Sequence, residues 1–252
     1  MNEGFAHLYP WQIVTRLAGL DLTCRINGHR PLDVNRLKAE VEGILAEYAP
    51  ATHSSDDLYH DGGWSAVGLI AHNGNPFEDR ARPPYKKTAA LARAPYIASL
   101  IDGFATEPQR VRLMGLQPRK SIFWHYDRGE TIDNARSVRL HLPIFTNRSV
   151  RFQISHEDLY WDEDEIWYGD FSFPHRLYNG GERVRIHLVM DLLVNDHIRA
   201  LFPRPFLHEK PKRLRVKKIT QKMVEAYKVA RQPSHVRQVF SRPRRRAAAQ
   251  TR

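Results

Sequence analysis

The sequence predicts a mainly β protein: a jelly-roll-like barrel with supporting helices, followed by a basic helical C-terminal tail. Three observations carry this. Ser137 to Ile144 (SVRLHLPI) and Arg183 to Leu192 (RVRIHLVMDL) alternate with period two, the spacing that sends successive side chains to opposite faces of a sheet. From Val111 onward, short strand-like runs succeed one another with turn residues between them, as in barrels and jelly rolls. Before and after this region, apolar residues recur at helical spacing.

In order, residues 1–30 read as a mixed opening segment with an apolar run from Trp11 to Leu22. Asp33 is an N-cap for a helix carrying Leu37, Val41, Ile44 and Leu45, ended by Ala49-Pro50. Trp64 to Ala71 is a strand, and Asn73 to Lys87 is a long loop rich in Gly, Pro, Asn and charge. Thr88 to Gly103 is helical with a break at Pro95. Val111 to Leu116 and Ile122 to Asp127 are strands, then come the Val138 strand and another at Val150 to Ile154. Acidic residues crowd Glu157 to Glu165, and Asn179-Gly180-Gly181 turns into the last long strand. The predicted division is a domain over 1–202, helical to about 110 and with its barrel core over about 64–196, then an extension over 203–252. In that extension a helix spans about 212–230 and disorder follows through Arg242 to Arg252.

Composition sets limits. Five Trp, eleven Phe and ten Tyr within 42% hydrophobic residues suffice for a substantial core. One cysteine, Cys24, permits no internal disulfide and reads as a small buried hydrophobe in a reducing compartment. Arg16 and Asp21 interrupt the Ile13 to Leu22 run, so neither a signal peptide nor a membrane span is expected and the location expected is cytoplasmic. The net charge of +11 is local: sixteen of the 39 Lys and Arg residues follow Phe202, against Glu209 and Glu225. The preceding part is close to neutral, so a nucleic-acid or acidic partner is an argument about the last fifty residues only.

The polar faces carry the chemistry. Val184, Ile186, Leu188, Met190 and Leu192 share one face of the last strand, while Arg183, Arg185, His187 and Asp191 share the other. In the earlier strand Val138, Leu140, Leu142 and Ile144 oppose Arg139 and His141. Such faces suit a barrel whose polar side lines a pocket. Nearby stands a His-x-Asp triplet, His125-Tyr126-Asp127, with a second histidine, His175, after Phe173-Pro174. Two residues apart on a strand, His125 and Asp127 would leave one face about 7 Å apart at their Cα atoms. Two histidines and one carboxylate form the facial triad of non-haem Fe(II) oxygenases. An interior arginine such as Arg185 points to an anionic ligand unless Asp170 or Asp191 pairs with it.

Together, His125-Tyr126-Asp127, Arg139-Leu140-His141-Leu142-Pro143, and His175 followed by Asn179, Gly180, Arg185, His187, Leu188 and Asp191 resemble the aspartyl/asparaginyl β-hydroxylase family. The likeness runs over roughly Trp64 to Asp196. That family includes bacterial hydroxylases of free proline and belongs to the Fe(II)- and 2-oxoglutarate-dependent dioxygenases. The resemblance implies a double-stranded β-helix (cupin-like) fold, Fe(II) held by His125, Asp127 and His175, and 2-oxoglutarate held through its distal carboxylate by Arg185. Arg139 and His141 fall where the family contacts the co-substrate, and Met114 stands where the family can place a polar contact. O2 is the second co-substrate, with succinate and CO2 released. Arg119, Trp124 and Arg128 lie near the metal residues in sequence and are substrate candidates, whereas Tyr126 should point away.

The leading reading is therefore a hydroxylase of an amino acid, or of an aminoacyl or peptidyl side chain. A related oxygenase performing desaturation or another step on a natural-product intermediate is the alternative. The tail would dock an acidic carrier domain or leader peptide, or remain solvated. A nucleic-acid-binding protein acting through residues 203–252 is the non-enzyme reading. Only Tyr227 and Phe240 are aromatic after Phe206, few for stacking on single strands.

Overall fold

The computed structural model describes residues 8–27, 31–52, 59–134 and 136–231. Twelve strands appear among them: β1 Thr23–Arg25, β2 Ala51–Thr52, β3 Trp64–His72, β4 Tyr85–Lys87, β5 Pro108–Leu116, β6 Ser121–His125, β7 Ser137–Phe145, β8 Val150–Ile154, β9 Glu157–Leu159, β10 Trp167–Gly169, β11 His175–Asn179 and β12 Arg185–Leu193. The helices are α1 Pro10–Leu17, α2 Val34–Glu47, α3 Ala89–Ala92, α4 Pro95–Asp102, α5 Asp196–Ala200, α6 Arg204–His208 and α7 Lys210–Arg231.

Strands β5 to β12 switch between two antiparallel sheets. β10, β7, β12 and β5 lie side by side in the larger sheet, and β6, β11, β8 and β9 form the smaller. That interleaving is the double-stranded β-helix, a jelly roll that leaves a mouth between its sheets. The larger sheet is extended by β1 beside β10 and by β3, β2 and β4 beyond β5. The strand expected at Trp64 to Ala71 is β3, a nine-residue strand of the main sheet, and the expected loop over 73–87 closes with β4.

The period-two pattern determines which face goes where. Val138, Leu140, Leu142 and Ile144 of β7 and Ile186, Leu188, Met190 and Leu192 of β12 face outward into the largest core cluster. There α2 adds Leu37, Val41 and Ile44, and α4 adds Ile97 and Ile101. Each fully buried residue of this kind contributes roughly 1.5–3 kcal/mol relative to exposure. Asp33 caps α2 by accepting from the Arg36 N–H at 3.0 Å. A second cluster lies between the sheets, built on Ile122, Phe152, Ile154, Trp161, Phe171 and Leu177.

The apolar run after Trp11 contains α1, which packs with α7 around Trp11, Trp124 and Val224. α7 is anchored by Arg213, fully buried, whose Nε and NH2 each donate to Asp133 at 2.9 Å. Gln221 of α7 donates to the Ser172 carbonyl at 2.8 Å, tying the helix to the loop before β11. The predicted disorder at Arg242–Arg252 lies outside the described residues. Among the described residues no helix is long and apolar enough to cross a membrane.

Candidate metal centre

Register brings the two histidines together. His125, the last residue of β6, is the direct antiparallel partner of His175, the first residue of β11, and their ring centroids lie 4.1 Å apart. Two residues on, Leu177 pairs with Ile122, three residues back along β6. The extra residue on β6 is a bulge, and a bulge rotates the side chains that follow it to the other face. Ile122 and His125 therefore both line the cavity, while Trp124 is buried on the far side with Trp11 and Tyr9.

Asp127 lies beyond the end of β6, contrary to the expectation that one strand carries both His125 and Asp127. Its N–H donates to the Phe171 carbonyl at 2.8 Å, which turns the chain back toward the histidines. One ligand atom from each of His125, Asp127 and His175 can be chosen so that all lie within 4.8 Å of one another. His125 Nδ1 meets the Phe123 carbonyl at 2.7 Å and His175 Nδ1 meets the Phe173 carbonyl at 3.0 Å. Those contacts put the ring proton on Nδ1 and leave the Nε2 lone pairs for a cation. His125 Nε2 and Asp127 Oδ1 stand 3.8 Å apart, and Asp127 Oδ2 accepts from Arg139. The donor set, two neutral imidazoles and one free carboxylate oxygen on one side, fits Fe(II).

Electrostatics keep the donors ready. Burial tends to raise the Asp127 pKa, but the Arg139 guanidinium and the two imidazoles outweigh it and hold it at about 2. Burial, reinforced by His125, pulls the His175 imidazole down to about 3. Burial also lowers the pKa of His125, so both rings are neutral near pH 7.

Around the three lies a cavity of about 300 Å³ whose far wall is the polar face of the larger sheet: Arg110, Arg112 and Met114 of β5, Arg139 and His141 of β7, and Arg185 of β12. Asp191 is the hub of that wall. It accepts from Arg139 Nε at 2.6 Å and from Arg110 Nε at 3.0 Å, and lies 3.5 Å from Arg112 NH2. Against burial, these guanidiniums hold Asp191 far below the usual carboxylate range. Arg139 therefore stands between Asp191 and Asp127 and orients the latter, and it also lines the cavity, where it was expected to contact the co-substrate. Arg110 and Arg112 escaped the sequence reading. The alternation that exposed β7 and β12 also runs through β5, where Val111 and Leu113 face the core and the two arginines face the cavity.

Arg185 differs from its neighbours. Neither Asp170 nor Asp191 pairs with it; its NH2 reaches His187 Nδ1 at 3.1 Å, its guanidinium lies 5.7 Å from the Phe152 ring, and its buried Nε has no partner among the described residues. Burial alone pushes its pKa down to about 9. Among the described residues neither ring nitrogen of His141 has a hydrogen-bond partner, and burial, then Arg139 and Arg185, keep it neutral. A buried guanidinium without a carboxylate, beside unsatisfied imidazole nitrogens, fits the distal carboxylate of an organic diacid.

The three substrate candidates separate. Arg128 lines the cavity. Arg119 does not: it is exposed on the outer surface and pairs with Glu182. Trp124 lies behind the bulge. Tyr126 packs away from the metal residues beside Tyr9 and Trp124, as expected.

Comparison with known proteins gives a family match over residues 32–194, to aspartyl/asparaginyl beta-hydroxylase. Among solved structures, an oxidoreductase of the 2OG-Fe(II) oxygenase family from Burkholderia pseudomallei is similar at 13% identity, over 73% of this chain and 89% of that one, with a TM-score of 0.46. A prolyl hydroxylase from Trichoplax adhaerens, in complex with a hypoxia inducible factor peptide fragment, is 11% identical over 77% and 97% of the two chains, with a TM-score of 0.46. A prolyl-4-hydroxylase from Pseudomonas putida is 14% identical over 73% and 99%, with a TM-score of 0.41.

Proposed function

The chain belongs to the aspartyl/asparaginyl β-hydroxylase family of Fe(II)- and 2-oxoglutarate-dependent dioxygenases, and from that membership we propose that it hydroxylates an unactivated carbon of an amino acid, free or within an aminoacyl or peptidyl group. The observation that carries the reading is the convergence of His125, Asp127 and His175 on one point, facing a buried Arg185 that lacks a carboxylate.

His125 Nε2, His175 Nε2 and Asp127 Oδ1 are the atoms that would hold iron, and Arg185 with His141 would hold the co-substrate. Bound iron supplies the oxidising chemistry: O2 is consumed, 2-oxoglutarate leaves as succinate and CO2, and one oxygen atom ends as hydroxyl on the substrate. The chain's own contributions are positional and electrostatic. Arg139 fixes the Asp127 carboxylate so that one oxygen faces the histidines. The Phe123 and Phe173 carbonyls fix both imidazole tautomers. Phe152, Phe171 and Leu177 make the inner cavity apolar and keep water from the reacting carbon. No side chain here is asked to move a proton, which suits hydrogen abstraction from an unactivated carbon better than acid–base hydrolysis.

The test is anaerobic addition of Fe(II) and 2-oxoglutarate, which should produce a metal-to-ligand absorption band that His175→Ala abolishes. A mass-spectrometric screen of amino acids and short peptides should then reveal a product carrying one added oxygen. Absence of the band in the native protein would overturn the reading.

A further inference from the structure

Resting on that reading of the cavity, we propose that Lys228 of α7 and Arg128 together hold an anionic group of the substrate, so that the enzyme selects substrates bearing a carboxylate or phosphate remote from the reacting carbon. Lys228 lies outside the segment that matches the family, yet only one aromatic ring, that of Tyr59, stands between it and His125. Its Nζ is 4.8 Å from the centre of the Tyr59 ring and 5.5 Å from that of Tyr126. Tyr59 in turn meets the His125 ring edge-on at 5.4 Å, so a single aromatic ring separates the ammonium from a metal residue. Arg128, on the cavity lining, approaches the same Tyr126 ring at 5.9 Å and its hydroxyl at 3.5 Å.

Two cations thus share Tyr126, and one of them, Arg128, lines the cavity. Each is attracted to the ring face, and they repel each other. The compensation is meagre: Glu225, 3.4 Å from Lys228, is half exposed, and among the described residues no carboxylate lies within ion-pair distance of Arg128. The deeper cations are already committed, with Arg110, Arg112 and Arg139 gathered on Asp191 and Arg185 reserved for the co-substrate. The positive charge left over is that of Arg128 on the cavity lining and of Lys228 beside it, and a cleft wall of one sign draws in anions. Lys228 is also held in place, since Val224 is buried one turn earlier and Arg213 locks the helix base.

Calorimetric titration of the full chain, loaded with Mn(II) and 2-oxoglutarate so that no turnover occurs, separates this role from mere packing. The probes are acid and neutral pairs: L-aspartate with L-asparagine, L-glutamate with L-glutamine, and O-phospho-L-serine with L-serine, each free and flanked by alanines in a tripeptide. The expected result is tighter binding of the acid in at least one pair, with the free or the peptide arm showing which form is taken. Lys228→Met keeps the apolar stem over the tyrosines and removes the charge, so it should cut that preference about tenfold. Arg128→Met should do the same, and Lys228→Arg should restore the preference. A native protein with no acid preference in any pair, including one that binds none of the probes, overturns the proposal. So does a Lys228→Met protein that keeps the native preference. Failure of 2-oxoglutarate to bind the Mn(II)-loaded protein would instead count against the reading of the cavity itself.

Discussion

Replacing Arg185 with methionine is expected to stabilise the ligand-free protein while abolishing its capture of 2-oxoglutarate. Arg185 is 8% exposed and has no carboxylate partner among the described residues. Burial depresses its pKa from the ordinary guanidinium value to about 9. At about 1.4 kcal/mol per tenfold change in proton affinity, this charge opposes folding by as much as 4–5 kcal/mol. The sign is that of a group charged in both states at neutral pH and disfavoured when folded. The penalty is complete below the folded value of about 9 and fades as pH rises from there toward the ordinary guanidinium range. Methionine fills a similar volume without charge, and recovering even half of that penalty raises Tm by about 5–10 °C in a chain of this length. In the native protein, 2-oxoglutarate at a hundred times its Kd with Mn(II) should add about 2.7 kcal/mol, a comparable rise. The Arg185→Met protein should melt higher without ligand and show no ligand-dependent rise. Melting curves recorded with and without Mn(II) and 2-oxoglutarate decide the matter. A variant that melts below the native protein, or one that retains the full ligand shift, refutes the view of Arg185 as an uncompensated charge awaiting an anion.

Other expectations follow from the same geometry. Asp191→Asn leaves Arg110, Arg112 and Arg139 buried around a neutral side chain and should cost about 3–5 kcal/mol in urea unfolding. It should also weaken Mn(II) binding about 10- to 100-fold through the loosened Arg139–Asp127 contact, read by calorimetry. Arg213→Ala strands Asp133 in the core and should destabilise by a similar 3–5 kcal/mol, measured the same way. Burial holds His141 and His187 neutral far below the ordinary histidine value of 6.5, with Arg139 and Arg185 adding to the effect. The unfolded chain therefore binds more protons, and below pH 6.5 the two together should remove up to roughly 2.7 kcal/mol of stability per pH unit. His187→Leu should flatten that acid slope in urea titrations at pH 7, 6 and 5; an unchanged slope would exclude the contribution.

The face assignment of β7 and β12 was legible because alternation survives when one side packs on helices and the other on a cavity. β5 carried the same signal in Arg110, Val111, Arg112 and Leu113, and its message was available to anyone applying the same rule. The bulge in β6 was not, since nothing in Ser121 to His125 announces an extra residue. Without it Trp124 would share a face with Ile122 and line the cavity. Arg119 sits close to the triad in sequence but at a positive-φ turn that aims it outward. Contacts such as Arg213 with Asp133, eighty residues apart, arise only when a tail helix closes over the barrel, and no local pattern encodes them.

The two histidines meet across the β6–β11 register, and their sequence positions lie fifty residues apart. Until those strands have zipped in the correct alignment, the chain offers iron two isolated imidazoles rather than a chelate. A polypeptide in which β6 and β11 are unpaired, or paired out of register, therefore does not present His125 and His175 together.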